Sequence, residues 1–412
     1  MKFVMSHRAT RLTLVALLGA VAWSPIASAA QLDVQPAAKG FSIIYQFPIN
    51  VMNYPNGGVV LDKEGNLFGT TYSGGANSFG DVYELAAGSY TFLDIHDFTG
   101  AGDGQYPGTE SPYLDGKGNL YVTASQGGAG NAGTAIRLTS SGGAYSETGL
   151  FSFGTTNGGQ PNASFNASGK TLYTTTYSGG ANGFGAIVAL SPSNFSEHLL
   201  YSFKGLPSDG QNPTANLVAD AQGNLFGTTE LGGSGGPGSS GAGTVFKFVP
   251  TKKGGKETVL WNFGVVTNDG QGPFAPPIVD SAGNIYGTTQ YGGGLTHGVV
   301  WKLTPGGGGY TESVLYSFGS TNGSNDGNYP LGGLILVGKT LYGTTSGGGA
   351  TGNGTIFKVS TTGTNYAILH SFDDSDGKSP EFAAWAVSGK TLYGTTEVGG
   401  TGGTGVVWKF VL

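Results

Sequence analysis

One five-residue segment, Leu67-Phe68-Gly69-Thr70-Thr71, returns again and again along this sequence. Later copies keep the apolar residue, the aromatic residue and the small or hydroxylated residues that follow, and the seven copies begin at Leu67, Leu120, Leu172, Leu225, Ile285, Leu341 and Leu392. They advance by about 54 residues at each step, a period that is typical of propeller blades. β-Branched and aromatic residues fill the segments, and Gly, Asn, Asp and Pro separate them, which favours strands joined by turns.

Each repeat divides into four predicted strands. The first is short and apolar, as at 58–62 or 215–220, and the second is the recurring segment itself. The third follows a Gly-Gly loop, as at 243–248, and the fourth ends in an aromatic pair, as at 315–318. No helical apolar period interrupts this order. The sequence therefore predicts an all-β chain that forms a seven-bladed β-propeller of four-stranded blades.

The two ends of the repeat array are out of step by one strand. Residues 41–47 (Phe-Ser-Ile-Ile-Tyr-Gln-Phe) have the pattern of a fourth strand with no blade before it. Residues 405–410 (Gly-Val-Val-Trp-Lys-Phe) have the pattern of a third strand with no fourth strand after it. We therefore expect the N-terminal strand to complete the last blade, which closes the ring and removes both exposed sheet edges.

The first 29 residues have the form of a signal peptide. Lys2, Arg8 and Arg11 precede an apolar stretch at 12–23, and Ala-Ser-Ala at 27–29 suits cleavage before Ala30. The expected location of the mature chain is the periplasm or the extracellular space. The expected organisation is a signal peptide at 1–29, a short lead at 30–40 and one propeller domain at 41–412.

Composition excludes several classes of protein and partner. Glycine is abundant, with 78 residues, but 12% aromatic residues argue against disorder. The absence of cysteine rules out a disulfide scaffold. The formal net charge of −6 becomes −9 without the three basic residues of the leader, and so acidic a chain is a poor partner for nucleic acid. No later segment is apolar enough to span a membrane, and we expect a monomer.

The repeat resembles the gloverin-like "GloVer" tandem repeat of secreted bacterial proteins. The resemblance rests on Leu-Tyr-Gly-Thr-Thr, Gly-Gly, Gly-Thr-Val-Phe-Lys and Leu-Tyr-Ser-Phe segments, and it extends from about Phe41 to Leu412. It implies a secreted bacterial propeller of the kind called choice-of-anchor, whose members carry varied C-terminal sorting signals. It implies no particular biochemical activity. We expect no cofactor other than, at most, Ca²⁺.

A recurring Asp-Gly-x-x-Pro segment lies in the connections between blades. In such blades these connections share one face of the propeller with the loops between the second and third strands. Five carboxylates on that face could bind Ca²⁺, which takes oxygen ligands, or the hydroxyls of a sugar. The alternative is a turn in which each aspartate bonds to its own backbone. The five residues are Asp103, Asp209, Asp269, Asp326 and Asp376.

Carboxylates and tyrosines also open the Gly-Gly loops. Glu230 and Glu397 occupy equivalent positions, and Tyr72, Tyr177 and Tyr291 lie at or next to the same position in other blades. Aromatic rings beside carboxylates would suit a sugar-binding mouth, in which case Glu230 and Glu397 are also candidate catalytic residues for glycoside cleavage. Alternatively, these side chains merely border the loops.

Two histidines, His96 and His370, stand where other blades carry an aromatic residue in the fourth strand, so they are interpreted as packing residues. No set of histidines and carboxylates has the sequence spacing of a zinc site. The regular repeats favour a non-catalytic binding or scaffold protein, with a polysaccharide or a cell-surface protein as the partner. The alternative is a carbohydrate-active enzyme, a lyase or hydrolase.

Overall fold

The computed structural model describes residues 40–48, 53–100, 102–234, 240–319, 325–381 and 385–412. Within these ranges all regular secondary structure is β-strand. Seven antiparallel sheets follow one another along the chain and form the blades of a propeller, which confirms the predicted fold class and blade number. Each has the four predicted strands, and Gln105–Pro107 adds a fifth short strand to the sheet of blade 2. The predicted signal peptide (1–29) and all but the last residue of the predicted lead (30–40) lie outside the described ranges, and Gly40 is already part of a strand. No helix in the described part of the chain is long and apolar enough to cross a membrane.

The strands are named by blade, and each blade has a first, second, third and fourth strand. Their bounds, in that order, are Val60–Leu61, Leu67–Thr71, Asp81–Leu85 and Phe92–Asp97 in blade 1; Tyr113–Leu114, Leu120–Gln126, Thr134–Ser141 and Ala144–Ser152 in blade 2; Asn166–Ser168, Thr171–Thr176, Ala186–Leu190 and Glu197–Ser202 in blade 3; Val218–Ala219, Leu225–Thr229, Thr244–Thr251 and Gly254–Asn262 in blade 4; Ile278–Val279, Ile285–Thr289, Val299–Gly306 and Gly309–Ser317 in blade 5; Ile335–Val337, Thr340–Thr345, Thr355–Ser360 and Ala367–Ser371 in blade 6; and Ala386–Ser388, Thr391–Thr396, Val406–Val411 and Gly40–Gln46 in blade 7. Five shorter strands lie in the loops, at Gln105–Pro107, Gly210–Gln211, Leu231–Gly232, Gly270–Gln271 and Tyr291–Gly292.

The ring closes by strand exchange, as the sequence predicts. Gly40–Gln46 pairs antiparallel with Val406–Val411, with Phe41 opposite Phe410 and Gln46 opposite Val406. The Phe47 N–H donates to the Gly405 carbonyl at 3.3 Å, and the Thr404 hydroxyl donates to the Phe47 carbonyl at 3.0 Å. The first described strand of the chain therefore completes the blade that contains the last one.

Threonine hydroxyls join neighbouring blades at five of the junctions, which gives a role to the first threonine of the Thr-Thr pair. Thr175 in the second strand of blade 3 donates to the Ala215 carbonyl, just before the first strand of blade 4, at 3.0 Å. Equivalent bonds occur at several other blade junctions, at 2.9–3.1 Å, and their donors are Thr123, Thr228, Thr288 and Thr395. All of these threonines are buried, so each bond satisfies a carbonyl that has no access to water.

The first strands are shorter than the sequence predicts. The expected strand at 215–220 reduces to Val218–Ala219, and that at 58–62 reduces to Val60–Leu61. The residues before each short strand leave the sheet because their carbonyls accept the threonine bonds from the preceding blade. On the other side, the Asp62 carboxylate accepts bonds from Asn66 and ends the strand in a tight turn.

Candidate functional site

Two families of loops meet at one face of the propeller. The Pro loops connect each fourth strand to the next blade and end in the recurring proline, and the Gly-Gly loops connect the second and third strands. Within a blade the two loops pair like short antiparallel strands, as Gly210–Gln211 does with Leu231–Gly232 and Gly270–Gln271 does with Tyr291–Gly292. This pairing fixes the position of the residues that open the Gly-Gly loops.

The residue before the proline has left-handed backbone in all seven blades. The residues and their φ angles are Tyr54 (44°), Tyr106 (59°), Gln160 (54°), Asn212 (56°), Gly272 (65°), Tyr329 (54°) and Ser379 (52°). Residues with a Cβ adopt this conformation rarely, and residues held in it cluster at functional sites. The six positions without glycine were not foreseen from the sequence, although the fixed distance from the proline was a usable signal.

Backbone hydrogen bonds on both sides hold this conformation. The Tyr106 N–H donates to the Phe79 carbonyl of the preceding blade at 2.8 Å. The Tyr54 carbonyl accepts a bond at 2.8 Å from the N–H of Tyr72, which opens the Gly-Gly loop of its own blade. Each pre-proline residue is thus fixed between two blades or two loops, and this arrangement offsets the strain of the left-handed backbone.

Tyrosines are frequent at these two loop positions, and we call their face the tyrosine mouth. Tyr72, which is 37% exposed, stacks on Tyr106 with ring centroids 4.9 Å apart. Tyr291, which is 46% exposed, meets Tyr329 edge-on at 5.7 Å. Tyr106 and Tyr329 were missed in the sequence because nothing there shows that they pair with the predicted tyrosines. The members of the mouth are Tyr54, Tyr72, Tyr106, Tyr177, Tyr291 and Tyr329.

The predicted glutamates lie at this mouth, on blades 4 and 7. A hydrogen bond links Glu230 to Tyr177 of the neighbouring blade 3, and burial raises the pKa of Glu230 more than this bond lowers it. Glu397 is bonded to Asn56, and burial likewise raises its pKa. The structure therefore brings Tyr177 and Glu230 together, as the interpretation of a combined aromatic and acidic mouth requires.

A further carboxyl, Glu381, was not singled out from the sequence. It follows Pro380 directly, and its pKa is raised to about 7 by burial and by the negative charge of Glu397. The two glutamates thus form an acidic pair on blade 7 in which Glu381 holds its proton at a higher pH than an ordinary glutamate.

The segments after the proline approach the propeller axis in blades 2, 3 and 4. The Asn216 side-chain amide of blade 4 donates to the Glu110 carboxyl of blade 2 at 3.4 Å, and side chains from blades that are not neighbours can meet only near the propeller axis. The Ser164 N–H of blade 3 donates to Asn216 Oδ1 at 2.6 Å. Glu110 is 5% exposed, and burial raises its pKa to about 8.

The five aspartates of the Pro loops lie in their own turns. Asp209 Oδ2 accepts a bond from the Lys204 N–H at 2.8 Å and from the Tyr201 hydroxyl at 2.7 Å. Asp269 accepts a bond from the Gly264 N–H at 3.0 Å. The equivalent backbone bond is present at the other three, which are Asp103, Asp326 and Asp376. This arrangement matches one of the two alternatives stated from the sequence, a turn in which the aspartate bonds to nearby backbone. The other alternative, a ligand-binding role, remains a prediction.

The fold and its mouth define a closed seven-bladed propeller with six tyrosines and the carboxyls of Glu230 and Glu397 at one face. The chain belongs to the Gloeobacter/Verrucomicrobia repeat family, whose sequence model matches residues 29–238, 108–326 and 235–412. The tandem repeat expected from the sequence is thereby confirmed. A search of curated proteins finds no match.

Solved structures of other propellers are similar in fold. One is the crystal structure of a "putative 6-phosphogluconolactonase" from Bacteroides uniformis, at 16% identity and a TM-score of 0.50, covering 80% of this chain and 88% of that one. A second structure with the same description, from Bacteroides fragilis, has 15% identity and a TM-score of 0.51, and the match covers 80% and 86% of the two chains. At this level of identity the similarity shows the fold alone.

Proposed function

We propose that this chain is a secreted, non-catalytic binding propeller of the bacterial envelope or exterior that holds polysaccharide at the tyrosine mouth. The observation that carries the proposal is the pairing of tyrosines at the two loop positions, with Tyr72 stacked on Tyr106 and Tyr291 against Tyr329. Export rests on the signal-like residues 1–29, and the gloverin-like relationship expected from the sequence belongs to the same proposal.

The chemistry of the mouth suits a sugar chain. Tyrosine rings offer apolar faces on which the C–H face of a sugar can pack, and each ring carries a polar hydroxyl at its edge. Glu230 beside Tyr177 and Glu397 beside Asn56 place acceptors next to such rings. The left-handed residues are held by backbone bonds, so little conformational entropy is lost when a ligand binds.

The test is binding of polysaccharide fragments by the mature protein, measured by calorimetry and by thermal shift. We expect saturable binding that weakens when Tyr72→Ala and Tyr291→Ala remove the exposed rings. Leu93→Ala is the matched control, since Leu93 is 45% exposed and lies at the start of the fourth strand of blade 1, away from the mouth. Binding that Tyr72→Ala and Tyr291→Ala leave unchanged, or no binding across the panel, would contradict the proposal.

A second candidate function is glycoside cleavage, favoured by the acidic pair on blade 7. Glu381, with a pKa of about 7, would be the proton donor, and Glu397 would be the carboxylate partner. Release of reducing ends from a bound polysaccharide, abolished by Glu381→Gln and by Glu397→Gln while binding persists, would support the enzyme. Full activity in both variants, or no release of reducing ends by the parent protein, would contradict this second candidate. Binding would then be the single proposed function.

A further inference from the structure

Three potential metal ligands meet in the groove between blades 1 and 2. His96 comes from the fourth strand of blade 1, Asp103 from the Pro loop that follows it, and Glu147 from the fourth strand of blade 2. One ligand atom from each lies within 4.8 Å of the other two. In the sequence His96 belongs to a series of packing residues and no zinc spacing is visible, because residues 96, 103 and 147 converge only when the two blades pack side by side.

The pattern of contacts within the group resembles that around a shared cation. His96 Nε2 lies 3.2 Å from Asp103 Oδ2, and this buried nitrogen, like His370 Nε2 beside Asp376, has no hydrogen-bond partner among the described residues. Two ligands at 2.0–2.1 Å from a tetrahedral Zn²⁺ would be separated by roughly 3.3 Å. Asp103 is held in place by the Thr99 N–H, which donates to its other oxygen at 2.9 Å, as ligands oriented by an outer shell usually are.

The same groove recurs around the propeller with other residues. Between blades 6 and 7, His370 Nε2 lies 2.9 Å from Asp376, but the third position is Phe41, whose ring stacks on His370 at 3.9 Å. Elsewhere the histidine is replaced, and the equivalent trios are Phe151, Asn157 and Glu197; Tyr201, Asp209 and Glu257; Trp261, Asp269 and Glu312; and Tyr316, Asp326 and Tyr366. Among the described residues, histidine, aspartate and glutamate coincide in this groove only between blades 1 and 2.

We propose that His96, Asp103 and Glu147 form a binding site for a divalent transition metal ion of the Zn²⁺ class. One imidazole nitrogen and two carboxylates suit such an ion, whereas Ca²⁺ prefers an all-oxygen set. The two carboxylates match the charge of the ion. Three protein ligands leave a fourth position for water or for a group from outside, and the bound ion links blade 1 to blade 2. The site shares the Pro loop of blade 2 with Tyr106 but uses none of the mouth tyrosines as ligands, and it does not depend on the proposed polysaccharide.

The experiment uses the mature, tag-free protein, stripped of metal with EDTA and titrated with Zn²⁺ by calorimetry. We expect one equivalent to bind with a Kd in the micromolar range or below, and to raise the melting temperature. His96→Phe and Glu147→Gln should each weaken binding by roughly 10- to 100-fold or more. His96→Phe should still fold, because Phe151 occupies the equivalent position in the next blade.

His370→Phe is the matched control, since it removes the other histidine–aspartate pair without touching the proposed ligands. It should bind Zn²⁺ like the parent. An anomalous-scattering peak between the three side chains in a Zn²⁺-soaked crystal would support the assignment. No binding up to millimolar Zn²⁺, or binding that His96→Phe and Glu147→Gln leave unchanged, would overturn the proposal and leave His96 as an ion-pair partner of Asp103.

Discussion

Gly227 lies directly opposite Phe246 in the ladder between the second and third strands of blade 4, and a Cβ on Gly227 would lie 2.5 Å from the end of the phenylalanine ring. In the other blades the residue at the position of Gly227 and the residue opposite it in the third strand change together. Glycine also faces the buried rings of Tyr83, Trp301, Phe357 and Trp408, whereas in blade 2 Val122 faces Ile136 and in blade 3 Thr174 faces Val188. Each pair therefore fills a similar volume.

This relationship predicts a compensating double substitution. Gly227→Val should lower the free energy of unfolding by about 1–3 kcal/mol, because the buried ring has no room to move aside. Phe246→Ile alone should also destabilise the protein, since it leaves a cavity. Together they recreate the Val122 and Ile136 pair, so a double-mutant cycle in urea should show favourable coupling of about 1 kcal/mol or more. Strictly additive effects would contradict this account of the core.

The strands and buried residues of the blades could be predicted because the same pattern of apolar and aromatic residues recurs in seven copies. The position of Gly69 or Gly227 in the recurring segment, the aromatic pairs and the unpaired end strands are all readable from the sequence. The left-handed Tyr106 and Tyr329 could not be predicted, since their conformation depends on bonds to a neighbouring blade. The grouping of His96, Asp103 and Glu147 could not be predicted for a similar reason, because contacts between blades have no fixed sequence spacing.

Strand exchange predicts a strong effect of removing residues 41–47. Without them, Val406–Val411 would become an exposed edge strand, and the buried side chain of Phe47 would be lost from the core. We expect a lower melting temperature and concentration-dependent aggregation by light scattering. Adding the peptide Gly40–Phe47 in trans should raise the melting temperature of the shortened protein as its concentration rises. A shortened protein that melts like the parent would contradict closure by this strand.

The threonine bonds between blades predict a specific cost for a nearly isosteric change. Thr175→Val keeps the shape of the side chain but leaves the buried Ala215 carbonyl without its 3.0 Å donor. We expect a loss of about 1–3 kcal/mol in the free energy of unfolding, measured by urea titration. Thr311→Val, at an exposed position in a fourth strand, is the control and should change stability by no more than about 0.5 kcal/mol. Equal effects of the two substitutions would count against the inter-blade bonds.

Glu110 predicts how stability varies with pH. Burial near the axis raises its pKa to about 8, while a glutamate in the unfolded chain titrates near about 4.3. Between these pH values Glu110 keeps its proton in the folded protein but has lost it in the unfolded chain. Because ionisation then favours the unfolded chain, the free energy of unfolding falls as pH rises through this range. Other buried carboxyls with raised pKa values, such as Glu257 and Glu312, act in the same direction.

Glu110→Gln isolates the contribution of this one group, because the amide stays neutral at every pH. The melting temperature of the variant should fall less than that of the parent between about pH 5 and pH 8.5, and the two curves should differ most at the alkaline end. Glu64→Gln, whose side chain is 58% exposed, is the control and should follow the parent curve. If the curves of Glu110→Gln and the parent run parallel, Glu110 does not hold its proton in the folded protein.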